Sequence, residues 1–126
     1  MNNANDFRTQ IEAVEEAYEY MLAYAAQGRA EEGAGPDGAQ IRIFLKNFDE
    51  AVSAIAGMID ALPGADGEAA GFVASLRKDS DTMSSVLRIM LARDNISSEV
   101  VDNTNGLISV RSYLTSLFFL DKAVLQ

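Results

Sequence analysis

Apolar residues recur along this chain with the spacing of helices that bury one side. Between Asn5 and Gln27, the residues Phe7, Ile11, Val14, Tyr18, Met21 and Ala25 follow one another at alternating steps of four and three. That places them on one stripe of a helix turning every 3.6 residues. Neither Gly nor Pro interrupts the segment, Asn3 or Asn5 supplies an N-cap, and Gly28 suits the left-handed position after the last turn. A second stripe, Ile41, Leu45, Phe48, Val52, Ile55, Ile59 and Leu62, is the most regular in the chain and stops at Pro63-Gly64. Its expected start is near Asp37, with Gln40 completing a capping-box pair.

Asp66 is the expected cap of a third helix. Its stripe runs Val73, Leu76, Ser80, Met83, Leu87 and Met90, widened by Phe72, Val86 and Leu91, with Ser80 as the polar intruder. The last region is less regular. Ser97 or Ser98 can cap a helix whose stripe holds Ile96, Val100, Leu107, Val110, Leu114, Leu117 and Val124, but Asn103 and Asp121 fall on the same stripe. Asp102-Asn103-Thr104-Asn105-Gly106 is poor helix material with an Asn-Gly turn signal. Two readings fit: a continuous helix weakened near Gly106, which is the expectation adopted, or a short helix, a turn, and a second helix from about residue 107.

Four amphipathic segments, roughly 5–27, 38–62, 66–94 and 97–125, predict an all-α chain: one domain over 1–126, an antiparallel up-down-up-down four-helix bundle, its last helix open to a break near Gly106. The connector 28–37, rich in Gly and acids, follows a helix rather than a strand. It therefore reads as a connector, ordered or mobile, and not as a phosphate cradle.

Composition narrows the chemistry. The chain has no Cys and no His, which removes thiol nucleophiles, zinc and iron–sulfur sites, and the commonest general base. No cofactor or catalytic residue is expected, and the enzyme reading ranks last. The polar start lacks a basic region followed by an apolar stretch, so no secretory signal is expected, and the longest apolar run, Leu117-Phe118-Phe119-Leu120, is far too short to span a bilayer. A cytoplasmic location and no membrane association are the expectation. The net charge is −9, which argues against nucleic-acid binding and leaves room for a basic protein partner.

Charge is concentrated early. Glu12, Glu15, Glu16 and Glu19 share one face of the first helix, away from its apolar stripe, and are expected to form a solvated acidic face rather than a metal site. Arg77 and Arg88 project from one side of the third helix, with Lys78 and Arg93 nearby, and are expected to pair with that Glu face. The Ser84-Ser85 and Ser97-Ser98 pairs read as polar faces or caps.

The surplus is apolar. Tyr20, Tyr24, Ile43, Phe44, Ile108, Tyr113, Phe118 and Phe119 lie off the assigned stripes, more than a monomeric bundle needs. Such a surplus is expected either to widen the core faces or to form an interface. The interface assignment is Tyr20, Tyr24, Ile43, Phe44, Tyr113, Phe118 and Phe119, with a homodimer as the expected assembly. The functional expectation is a noncatalytic helical interaction protein, an adaptor, chaperone-like module or assembly or inhibitor subunit. The alternative is a small-molecule bundle with a cavity lined by Met21, Met58, Met83 and Met90.

Overall fold

A computed structural model describes residues 3–33 and 36–125. Among them the chain is all-α, with five helices and no strand: α1 (Asn3–Ala26), α2 (Pro36–Met58), α3 (Ala70–Leu91), α4 (Ser98–Asn105) and α5 (Ile108–Phe119). A 3₁₀ turn, Ile59–Ala61, extends α2, and a π turn, Leu120–Val124, extends α5. Helix α2 packs on α1 and on α3, α4 covers α1, and α5 covers α3. Two short helices thus follow α3, one packed on α1 and the other on α3.

The stripes of α2 and α3 are buried throughout, Ser80 included. Ser80 is satisfied locally, its hydroxyl donating to the Leu76 carbonyl at 2.9 Å. The stripe of α1 differs from the expected one. Phe7, Ile11, Val14 and Met21 are buried, but so are Ala17 and Tyr24, while Tyr18 and Ala25 are only half-buried. A straight helix drifts against a strict seven-residue repeat, and α1 packs on two sides, against α2 and α4.

Gly28 closes α1 with φ +65°, the left-handed conformation expected of it. The proposed cap Asp37 and its partner Gln40 concern a side chain outside the described residues, whereas Pro36 is the first helical position, where a missing N–H costs nothing. The Asp66 cap is corrected. Helix α3 begins four residues later, with Ala69 as a cap that makes no side-chain bond. Residues 62–69 instead form consecutive turns, Gly64 at φ +72° accepting from the amides of Gly67 and Ala69 at 2.8 and 3.1 Å.

The continuous last helix is also corrected: the chain breaks between Asn105 and Ile108. Gly106 is close to helical (φ −83°, ψ −10°), while Leu107 turns extended (φ −64°, ψ 133°). The break turns the later stripe about the chain. Thr104 and Asn105 become buried, Asn103 and Leu107 are exposed, and α5 buries Val110, Tyr113, Leu114 and Leu117 against α3. Asp121 is accommodated by Arg8, whose Nε lies 3.2 Å from its carboxylate while Nη2 donates to the Leu125 carbonyl at 2.9 Å. The start of α1 is thereby tied to the end of the fold.

Candidate interaction surface

The loop after α1, whose order the sequence left open, is held down over residues 28–33. Its anchor is Glu32. The Glu32 carboxylate takes two bonds from Arg42 of α2, at 2.9 and 2.7 Å, and a third from the Ile96 amide at 2.6 Å. Arg42 also donates to the carbonyls of Leu91 and Arg93 at 3.0 and 2.7 Å, where a cation offsets the negative end of α3. Asn95 spans the gap, accepting from the Glu32 amide and donating to the Ala30 carbonyl, both at 3.0 Å.

The two serines at the start of α4 divide the work. Ser97 caps the helix by accepting from the Val100 amide. Ser98 is buried; its hydroxyl donates to the Tyr24 carbonyl at 2.7 Å and accepts from the Arg29 amide at 2.8 Å. Periodicity missed this network because its longer bonds join residues 49 to 74 positions apart.

Tyr24 and Tyr113 are corrected from interface to core, since both are fully buried. Tyr24 donates to the Ile96 carbonyl at 2.7 Å; burial, with Glu32 adding to it, raises its pKa above the usual tyrosine value. Tyr113 lies beside Ser80, yet its hydroxyl makes no hydrogen bond of normal geometry. Burial pushes its pKa up strongly, and Asp79 adds to the shift.

The remaining candidates fall into two separate patches. Tyr20 of α1 and Phe44 of α2 are half-buried and stack on each other, ring centres 4.1 Å apart and 5° from parallel, with Ile43 exposed beside them. Phe118 and Phe119 lie at the other end of the molecule, on α5, near the Arg8–Asp121 tie. Phe119 rests edge-on against Phe72 of α3, 5.2 Å between centres. The outer face of α5 carries Ile108, Arg111, Ser112, Thr115, Phe118 and Phe119, all exposed. Apolar surface also appears where spacing did not point, at Leu22, Ile89 and Leu107. Ile89 is a single residue beside the buried Met90, whereas Leu22 shares a hollow with Leu107, which left its stripe through the helix break.

Glu12, Glu15, Glu16 and Glu19 are exposed and form no ion pair among the described residues. The expected pairing of the α3 arginines with this face is corrected. Arg77 pairs with Asp60 beyond the end of α2, and Arg88 lies 3.5 Å from Asp49 of α2, which also accepts from Ser84 at 2.7 Å. Helix α2 is the neighbour on that side of α3, so its acids are nearer. Among the described residues no group of His, Cys, Asp or Glu is arranged to hold a metal ion, and no helix is long and apolar enough to cross a membrane. Met21, Met83 and Met90 are buried in the core and Met58 packs against it; Met90 accepts from Thr104 at 3.3 Å.

No protein-family model matches the chain, and neither a curated protein nor a solved structure is significantly similar to it.

Proposed function

We propose that this chain is a noncatalytic interaction protein that docks a protein partner on the outer face of α5. One observation carries the reading. Helix α5 buries Val110, Tyr113, Leu114 and Leu117 on one side, yet leaves Ile108, Phe118 and Phe119 82%, 50% and 53% exposed on the other. The exposed aromatic pair lies at the end of a face that otherwise carries Arg111, Ser112 and Thr115, and aromatic side chains gathered on an exposed face favour association. The acidic α1 face offers a separate place for a basic partner.

The test is affinity capture from the source cell with wild type and Phe118→Asp, chosen because Phe119 also packs on Phe72. A protein retained by wild type and lost with Phe118→Asp, while circular dichroism shows the helices intact, supports this docking face. Equal retention by both overturns it.

A further inference from the structure

We infer that the trough at the joint between α4 and α5 is a two-fold interface with a second copy of this chain. The inference rests on reading the protein as an interaction module and names one partner of it. Tyr18 and Leu22 of α1 and Leu107 of the joint line a hollow of about 610 Å³ of mixed character, together with Asp102, Asn103, Asn105 and Gly106 at the end of α4 and Arg111 of α5. Leu22 and Leu107 are 47% and 42% exposed. Walls this open do not enclose a small ligand, which needs most of its surface covered. They suit a flat, protein-sized partner.

The charges choose the partner. Asp102 and Arg111 stand on one hollow, yet neither joins an ion pair among the described residues. Helix α5 starts beside them without a side-chain cap and without an acid in its first turn, so the positive end of its dipole also awaits an anion. A surface carrying one free acid and one free base around an apolar strip is complementary to itself. A two-fold axis through Leu107 sets Asp102 of each copy against Arg111 and the α5 start of the other, satisfying both pairs with one contact. A standard interface takes about 800 Å² per partner, about a ninth of the 6929 Å² surface of this chain.

Sedimentation velocity over a concentration series tests this with wild type, Asp102→Arg, Arg111→Asp, the double exchange Asp102→Arg/Arg111→Asp, and Phe118→Asp, circular dichroism confirming the helices of each. Wild type is expected to dimerise reversibly. Either single exchange sets like charges opposite one another twice and is expected to weaken the dimer by about tenfold or more, and the double exchange restores it. Phe118→Asp leaves this dimer intact, so loss of partner capture and loss of dimerisation are separate failures. A chain that stays monomeric, a dimer indifferent to the single exchanges, a double exchange that fails to rescue, or open-ended oligomers would each overturn the inference. So would a dimer broken by Phe118→Asp alone.

Discussion

The hydroxyl of Tyr24 donates to the main-chain carbonyl of Ile96 at 2.7 Å, so the end of α1 and the segment leading into α4 are joined inside the core. Tyr113 is buried to the same degree but lacks such a partner. The two tyrosines therefore respond oppositely to loss of the hydroxyl. Tyr24→Phe strands a buried carbonyl and is expected to cost about 1–2 kcal/mol, whereas Tyr113→Phe removes an unsatisfied group and is expected to be neutral or stabilising by up to about 1 kcal/mol. Urea denaturation of both variants checks the contrast; equal losses would contradict it.

Both hydroxyls hold their protons more tightly in the folded chain than an exposed tyrosine does, whose pKa is about 10. As pH rises past about 10 the unfolded chain releases these protons first, so stability falls there with increasing pH and is insensitive to these groups below it. Denaturation midpoints measured between about pH 8 and 11 should decline only at the alkaline end, and less steeply in Tyr113→Phe than in wild type.

Phe48 sits at the middle of the α2 stripe and is fully buried. Truncation to Ala is expected to cost about 3–5 kcal/mol. A loss below about 1 kcal/mol, read from the same denaturation experiment, would mean that the α2 register is wrong.

Glu32→Gln keeps the shape of the anchor but removes the charge that receives two bonds from Arg42 and one from the Ile96 amide. Expected are a loss of about 1–3 kcal/mol and faster hydrogen exchange at the Ile96 amide. Unchanged exchange there would show that the loop is held by other contacts.

Two glycines should behave differently. Gly28 has φ +65°, and a Cβ added there would meet nothing within 4 Å. Gly28→Ala therefore meets only backbone strain, about 1–2 kcal/mol. Gly106 lies at φ −83°, and a Cβ there would sit 3.6 Å from the Asn103 carbonyl, an ordinary contact. Gly106→Ala is expected to be tolerated or to stabilise by up to about 1 kcal/mol. A thermal melt of each variant separates the two; a severe loss at Gly106 would show that the helix break needs its glycine.

Periodicity alone determined that the chain is helical and determined the buried residues of α2 and α3, because an unbroken repeat such as Ile41 to Leu62 has one face that can leave water. Local backbone preference marked Gly28 as a helix end and residues 102–106 as a weak point. Tertiary structure decided the rest. Tyr24 is core rather than surface because α4 folds over α1, and Leu107 is exposed because its extended backbone divides the last helix between α1 and α3. The 28–33 loop is fixed because Glu32, Arg42 and Asn95 meet there from distant parts of the chain. Each of these outcomes depends on a partner remote in sequence, and a hydrophobic pattern records which side of a helix is buried without recording what covers it.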